Sequence, residues 1–222
     1  MVVVIEGMDA AGKQTHSKLL AEGMRGMRFA FPNYDSPTGA IILSHLKKEW
    51  SCVGDEREKH RDPPRLVDIK DVDARVFQSL QTVNRVEKLP EIKACIARGQ
   101  HVVFDRYWQS AYVYGSLDGL DEAWLRLVQE KPMPPADVNI LIDVPVEEGF
   151  KRRPERRDRY ETDRPFLERV RSSYIALWTA SSSMGLDGSW YIVGGLGGIS
   201  EVHARIREIV EREMAMRNGE VH

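Results

Sequence analysis

Short apolar runs alternate with longer amphipathic segments along the whole chain. Most of the short runs are continuously apolar, which is typical of strands that are buried on both faces of a parallel sheet. Such runs predict five strands, at Val2–Glu6, Arg28–Phe31, His101–Asp105, Asp137–Val144 and Trp190–Val193. Apolar residues spaced by three or four positions predict helices between them. We expect these helices at Thr15–Met24, Asp73–Arg98, Asp163–Met184 and Ser200–Met214.

Strands that alternate with helices predict a doubly wound α/β fold, in which ligands bind at the carboxyl ends of the strands. Within the long helix that starts at Asp73, Pro90 is expected to cause a break or kink, and Gly99 is expected to end the helix. The 222 residues suffice for one domain over 1–222 with a sizeable core. Residues 47–71 are charged and contain prolines, so we expect a long exposed insertion or a partly mobile loop there.

A glycine-containing run, Gly7-Met8-Asp9-Ala10-Ala11-Gly12-Lys13, lies between the first predicted strand and the first predicted helix. Its glycines let the backbone turn tightly so that N–H groups converge, while the helix N-terminus and Lys13 add positive charge. A chance glycine-rich turn is the alternative, but the flanking strand and helix are what a phosphate-binding loop requires. The run therefore predicts a cradle for nucleotide phosphates, with Lys13 accessible to solvent in the empty cradle.

Two features of the sequence bear on a metal ion. Gln14 follows Lys13 where the loop pattern usually has a hydroxyl that helps to hold Mg²⁺, and Thr15 comes one place later. Because Mg²⁺ beside phosphates keeps several waters, we expect it to be held mainly by the nucleotide and by carboxylates acting through water. Asp105, at the end of the third predicted strand, is the candidate carboxylate. The adjacent Arg106 offers forked donors that suit a phosphate, although a structural Asp–Arg ion pair is the alternative.

Composition narrows the classes of function. The formal net charge of −2 gives no indication of a nucleic-acid or membrane partner, and the apolar runs are too short to span a bilayer. The chain enters a strand without a basic leader, and Cys52 and Cys95 are isolated thiols without metal or redox spacing. We expect a cytoplasmic protein that acts on small molecules.

Six cations and two anions are concentrated in residues 151–159. Such a run is most often a solvated helix face or a nucleic-acid patch. Here it follows the predicted strand Asp137–Val144, whose end would lie near the bound phosphates. A basic lid over about residues 150–162 is therefore the second interpretation. It would neutralise a transferring phosphoryl group, since catalysis of that transfer rests on positioning and electrostatics.

Five motifs follow one another along almost the whole chain: the phosphate loop, Phe31-Pro32-Asn33-Tyr34, Asn84-Arg85, Asp105-Arg106-Tyr107 with Ser110 and Tyr114, and Arg159-Tyr160-Glu161. Together they resemble the thymidylate kinase family of P-loop nucleoside monophosphate kinases, in which the motifs have the same order. The resemblance implies a five-stranded parallel sheet flanked by helices, a lid segment and a homodimer. It also implies phosphoryl transfer from ATP, with Mg²⁺, to a deoxypyrimidine monophosphate such as dTMP.

The resemblance also implies roles for single residues. Asp9 would meet the 3′-hydroxyl of the acceptor nucleotide, and Tyr34 with Arg106 would hold its 5′-phosphate. Arg85 would donate to the pyrimidine carbonyl, and Tyr114 would favour deoxyribose over ribose. Since the phosphate loop holds no arginine, the catalytic charge would come from the lid.

The candidate residues fall into four groups. The catalytic candidates are Lys13, Arg106, Arg153, Arg156 and Arg157. The candidates for binding ATP are Gly7, Ala10, Ala11, Gly12, Lys13, Gln14 and Thr15. The acceptor candidates are Asp9, Phe31, Pro32, Tyr34, Gln81, Arg85, Arg106, Ser110, Tyr114 and Tyr160, and Asp105 is the metal candidate.

Three positions depart from the family's pattern. Gln14 replaces the hydroxyl residue, and Asn33 stands where the family often has an arginine. Gln81 lies one turn before Arg85, where the family usually places a phenylalanine that stacks on thymine. Gln81 leaves another deoxynucleotide, such as a modified dUMP, as an alternative acceptor. A non-catalytic nucleotide-binding switch is a second alternative, but a switch needs none of the acceptor-side residues.

Overall fold

The computed structural model describes residues 1–47, 73–153, 163–181 and 183–219. Its strands are β1 (Val2–Glu6), β2 (Met27–Ala30), β3 (Val102–Asp105), β4 (Val138–Asp143) and β5 (Ser189–Gly194). They form one parallel sheet in the order β2-β3-β1-β4-β5. The predicted strands are thus confirmed to within one residue at each end, and the predicted parallel sheet is confirmed as well.

The helices are α1 (Lys13–Gly23), α2 (Pro37–Lys47), α3 (Ala74–Val86), α4 (Leu89–Ala97), α5 (Trp108–Leu117), α6 (Glu122–Leu125), α7 (Val146–Arg152), α8 (Arg164–Ala180) and α9 (Ile199–Arg217). A π-helical segment, Arg126–Glu130, continues α6. The predicted break in the long helix is confirmed, because α3 and α4 are separate. Pro90 lies in the first turn of α4, where its missing N–H leaves no helical bond unmade.

The sequence pattern predicted no helix at the positions of α2, α5, α6 or α7. The reason is clearest for α5, in which Trp108, Ala111, Tyr112 and Val113 are all buried. A helix that is buried on several sides shows no polar face, so its period cannot be read from the sequence. The packing of α5 against α3, α8 and the π-helical segment provides the burial that this composition requires.

The central strand β1 is buried on both faces and pairs with β3 on one side and β4 on the other. Ile5 is in register with Asp105 of β3 and with Ile140 of β4, so polar strand ends meet at one edge of the sheet. The chain leaves β1 towards β2 on one side, whereas β4 lies on the other side. This reversal opens a crevice at the carboxyl end of β1, where such sheets bind ligands.

Two hydrophobic clusters cover the two faces of the sheet. One contains Phe104 and Tyr174 and includes side chains of α5 and α8, whereas the other contains Ile140 and Ile206 and includes side chains of α1 and α9. Within the described ranges, no helix is long and apolar enough to cross a bilayer. Nearly all of the predicted insertion at 47–71 lies outside those ranges, as do residues 154–162 of the predicted lid.

Candidate active site

The loop after β1 has the backbone geometry that its glycines permit. Gly7 has a φ of 148°, and a Cβ added there would lie 2.6 Å from the carbonyl oxygen of Ile142. Gly12 has a φ of 94° and precedes α1 without a side-chain cap, so no capping side chain occupies the first N–H groups of the helix. Larger residues would be strained at both positions. The loop therefore presents a helix N-terminus at the crevice, as an anion site requires.

A cavity of about 1050 Å³ opens beside this loop. Most of the predicted residues line it, namely Asp9, Ala10, Gly12, Lys13, Gln14, Thr15, Phe31, Pro32, Tyr34, Gln81, Arg85, Asp105, Arg106, Ser110, Tyr114 and Arg153. Gly7 and Ala11 lie behind the lining, and the amide N–H of Ala11 donates to the carbonyl of Met8 at 3.2 Å. Arg156, Arg157 and Tyr160 lie outside the described residues.

Lys13 is buried in the loop, with only 6% of its surface exposed. The prediction that it is accessible to solvent was therefore wrong. Its Nζ donates to the carbonyl oxygen of Met8 at 2.7 Å and lies 3.9 Å from the carboxylate of Asp9. Burial, together with the charge of Arg106, lowers the pKa of Lys13 from 10.5 to about 8. An ammonium group held in this way is short of counter-charge, which a phosphate would supply.

Asp9 and Arg106 form an ion pair at the centre of the cavity, in which Nη2 of Arg106 donates to Oδ1 of Asp9. Tyr114 donates its hydroxyl to the other oxygen of Asp9 at 3.3 Å. Burial raises the pKa of Asp9, but the charges of Arg106 and Lys13 outweigh burial and hold that pKa below its usual value. Asp9 is therefore a carboxylate that can accept a hydrogen bond from a ligand hydroxyl.

Glu6 is a fully buried carboxylate that is linked to this pair through Ser110. It was not among the candidates predicted from the sequence. Its oxygens accept hydrogen bonds from the backbone N–H of Tyr107 at 2.8 Å and from the hydroxyl of Tyr174 at 3.1 Å. They also accept from the N–H and hydroxyl of Ser110. The Ser110 hydroxyl is thus engaged by Glu6, and Arg106 reaches it only at 3.4 Å. The sequence signal for Glu6 was its position as the polar last residue of the buried strand β1.

Asp105 lies in the cavity but is paired with Arg28, whose guanidinium donates to Oδ2 of Asp105 and, through Nε, to Ser17 at 2.8 Å. Arg28 is a cavity residue that sequence analysis did not select. Across the described residues, no group of three His, Cys, Asp or Glu side chains could cage a metal ion. One carboxylate beside Lys13 fits an Mg²⁺ ion that the nucleotide carries and the protein meets through water.

Asn84 of α3 holds the loop formed by Phe31, Pro32, Asn33 and Tyr34. Its side-chain oxygen accepts from the N–H of Asn33 at 2.7 Å, and its Nδ2 donates to the carbonyl of Asn33 at 3.1 Å. The peptide bond between Phe31 and Pro32 is cis. Phe31 is buried, whereas Tyr34 is 42% exposed at the edge of the cavity. This clamp explains why an asparagine precedes Arg85 in the sequence.

One face of α3 forms a wall of the cavity in which Phe77, Gln81 and Arg85 succeed each other at intervals of four residues. Phe77 is buried and stacks on His45 with the ring centroids 4.4 Å apart. An aromatic side chain therefore lines this wall although position 81 has none. Phe77 was not among the predicted site residues, although its spacing of one helical turn from Gln81 indicates that it shares the face of Gln81. Burial lowers the pKa of the Arg85 guanidinium from 12.5 to about 10, so it remains a cation at neutral pH.

The described part of the basic run ends in the same cavity. Arg152 is anchored through the carbonyl of Gly195 at 2.8 Å and the carboxylate of Glu148 at 3.1 Å. Arg153 follows at the end of α7 and lines the cavity, and its charge contributes to lowering the pKa of Asp9. Arg153, one of the predicted lid arginines, therefore lies near the carboxylate of Asp9.

The chain is similar to known proteins over most of its length. The family model described as thymidylate kinase matches residues 65–206. A probable thymidylate kinase from Thermococcus onnurineus is 30% identical over 219 residues, which cover 98% of this chain and 100% of that protein. A human thymidylate kinase is 26% identical over 216 residues, covering 95% of this chain and 89% of the human one.

A solved structure of a thymidylate kinase from Candida albicans shares the fold. Its TM-score is 0.72 at 21% sequence identity, and the match covers 96% of this chain and 92% of that one. The match therefore extends beyond residues 65–206, which the family model covers. With its five-stranded parallel sheet, its phosphate loop and a relative aligned over nearly its full length, the chain belongs to the thymidylate kinase family of nucleoside monophosphate kinases.

Proposed function

We propose that this kinase transfers the γ-phosphoryl group of ATP to the 5′-phosphate of dTMP, giving ADP and dTDP. The observation that carries the proposal is that one cavity contains both halves of such a site. The phosphate loop with Lys13 borders one part of it, and the wall of Phe77 and Arg85 borders another. A cavity of about 1050 Å³ is large enough for two nucleotides to meet.

On the donor side, the loop amides and Lys13 bind the phosphates of ATP. The buried ammonium gains counter-charge there, and the N-terminus of α1 adds its dipole. Bound Mg²⁺ would neutralise charge on the transferring and leaving oxygens. Asp105 would contact its water shell, and Gln14 and Thr15 line the cavity close by.

On the acceptor side, Arg106 and Tyr34 hold the 5′-phosphate, and Asp9 accepts a hydrogen bond from the 3′-hydroxyl. The Arg106–Asp9 pair aligns these two groups in the free protein, which lowers the cost of ordering them on binding. Tyr114, fixed on Asp9, crowds the 2′ position and favours deoxyribose. Arg85 donates to a pyrimidine carbonyl, which thymine offers and cytosine replaces with an amino group.

The acceptor phosphate attacks the γ-phosphorus in line, and the protein's task is to hold both anions together and spread the developing charge. Lys13 and Arg106 supply cations from the core of the site. Arg153, with Arg156 and Arg157 as further candidates, supplies them from the lid. The phosphate loop holds Ala10 and Ala11 and no arginine, so the lid is the segment that supplies the catalytic arginine.

We also propose that the chain forms one kinase domain over residues 1–222. Two copies of the chain would assemble into a cytoplasmic homodimer. An exposed apolar stripe on α3, formed by Val76, Val83 and Val86, supports the dimer. Such a stripe is more apolar than a solvated helix face needs to be, and a second copy would cover it. Light scattering of the wild type and of Val83→Glu tests this point, since the charge should shift a dimer towards the monomer.

An ADP-release assay with a panel of monophosphates tests the reaction. We expect the highest kcat/KM for dTMP, with dUMP next and dCMP lower by about 30- to 150-fold, since the wrong base leaves the Arg85 donor unpaired. UMP and 5-hydroxymethyl-dUMP test the sugar and the tolerance of Gln81. Preference for dCMP or dGMP would contradict the assignment of the base. If none of the monophosphates caused release of ADP, the non-catalytic nucleotide-binding switch would remain as the alternative.

A further inference from the structure

Arg85 is a buried cation whose charge is not neutralised by an ion pair within the described parts of the chain. Only 2% of its surface is exposed. Nη2 donates to Oε1 of Gln129, whereas Nε has no hydrogen-bond partner among the described residues. Burying a charge without an ion-pair partner is costly, and the charge of Glu6 offsets only part of the cost of burial, so this guanidinium is held in a state that an incoming oxygen acceptor would relieve.

Gln129 holds this cation from the opposite side to the cavity. It is fully buried in the π-helical segment Arg126–Glu130, and it is not among the residues that line the cavity. Its Oε1 also accepts from the hydroxyl of Thr82 at 2.8 Å, and its Nε2 donates to the carbonyl of Gln78 at 2.9 Å. One amide thus binds three residues of α3 on successive turns.

The orientation of this amide follows from its partners. Rotating it would place its NH₂ group against the Arg85 guanidinium, which can only donate, and its oxygen against the carbonyl of Gln78, which can only accept. The amide is therefore locked in one state. A π-helical turn inside a helix often marks a functional position, and here it brings Gln129 to α3.

We propose that Gln129 is a positioning residue that fixes the Arg85 guanidinium towards the pyrimidine and so determines which base the enzyme accepts. This inference rests on the proposed function, in which Arg85 reads the base. A locked donor cannot turn away from the amino group of cytosine, so the wrong base meets an unpaired cation. A loosened guanidinium could turn away, and discrimination would fall.

The neutral amide also has a consequence for affinity. A carboxylate at position 129 would keep the acceptor oxygen but neutralise Arg85, so the base would gain less by accepting its hydrogen bond. Two properties are therefore separable at one position. The geometry sets the choice between bases, and the missing counter-charge sets how tightly the correct base is bound.

Three variants separate these properties, assayed with dTMP, dCMP and ATP and melted in parallel. Gln129→Met keeps the volume and removes both hydrogen-bonding groups. Gln129→Glu keeps the acceptor for Arg85, replaces the donor to the Gln78 carbonyl by an oxygen and adds a charge. Thr82→Val is the matched control, since it removes a bond to the same Oε1 without touching Arg85.

For Gln129→Met we expect the dTMP-to-dCMP ratio of kcat/KM to fall at least about tenfold, through a lower KM for dCMP as well as a higher KM for dTMP, with KM for ATP little changed. For Gln129→Glu we expect the ratio to be kept and KM for dTMP to rise several-fold. Thr82→Val should lower Tm and leave the ratio unchanged.

A lower Tm in Gln129→Met with an unchanged base ratio would overturn the proposal, because Gln129 would then be only structural. If Gln129→Met does not fold, the shorter amide of Gln129→Asn takes its place, and an unchanged base ratio there would overturn the proposal. An unchanged KM for dTMP in Gln129→Glu would overturn the role of the missing counter-charge. Failure of the wild type to phosphorylate dTMP would instead refute the proposed function.

Discussion

Replacing Lys13 by methionine should abolish most activity without destabilising the free protein at neutral pH. The ammonium is buried, and the fall of its pKa from 10.5 to about 8 measures how much the fold disfavours the charge. At about 1.4 kcal/mol per unit, that cost is roughly 3 kcal/mol when Lys13 is charged. Losing the hydrogen bond to the carbonyl of Met8 offsets about 1–3 kcal/mol of the gain. We therefore expect Lys13→Met to change the free energy of unfolding by between zero and about +2 kcal/mol at neutral pH.

The pH dependence gives a sharper test. Because the folded pKa of Lys13 is lowered, the unfolded chain binds more protons between the two pKa values, and the stability of the wild type rises as pH increases from about 8 to 10.5. Lys13→Met lacks that rise. The advantage of the variant over the wild type should therefore shrink by about 2 kcal/mol between about pH 7 and about pH 10. Other titrating groups cancel in this difference.

Urea unfolding of both proteins at the two pH values measures this quantity, with the exposed Lys18→Met as the control that should show no such change. Turnover should fall by about two to three orders of magnitude in Lys13→Met, if the ammonium contributes roughly 3–4 kcal/mol to the transition state. Clear destabilisation at neutral pH, with a difference that does not depend on pH, would refute the reasoning from burial. Unchanged turnover would refute the phosphate-loop role of Lys13.

Arg28→Met should free the carboxylate of Asp105 and lower the Mg²⁺ concentration for half-maximal rate several-fold in a metal titration, whereas Ser17→Ala should not. An unchanged midpoint would show that Asp105 does not meet the metal. Gln81→Phe should lower KM for dTMP by about threefold to tenfold, because a ring stacks on a base better than an amide does. A higher KM would mean that Phe77 already occupies the stacking place. Arg153→Ala should lower kcat with a modest change in KM for ATP, and unchanged steady-state kinetics would remove Arg153 from the lid mechanism.

The strands and the phosphate loop could be predicted because their signals are local. Buried strands of a parallel sheet are apolar at every position, and β1 and β4 show this directly. The glycines at positions 7 and 12 stand where the backbone takes positive φ values, so their pattern could be read before the fold was known. Strand ends of a parallel sheet meet at one edge, and this brings the predicted site residues that follow the strands to one cavity.

Helices without a polar face could not be predicted, and neither could Arg28 as a cavity residue. In α5 the apolar residues are distributed around the helix, so no period separated it from the strands. Arg28 read as one polar residue in an apolar run, yet its guanidinium reaches Asp105 of the neighbouring strand. Pairing of this kind depends on which strands are adjacent, and the order β2-β3-β1 is a property of the whole sheet.

What the sequence by itself determined is the alternation of strands and helices, the phosphate loop and the types of residue at the strand ends. These depend on neighbours a few positions apart. Only the tertiary structure decided the state of each charge. It buried Lys13, paired Arg28 with Asp105 across 77 positions and placed Gln129 against Arg85 across 44. The physical reason is that the energy of a charge depends on the water and partners around it in space, and chain folding alone brings those partners together.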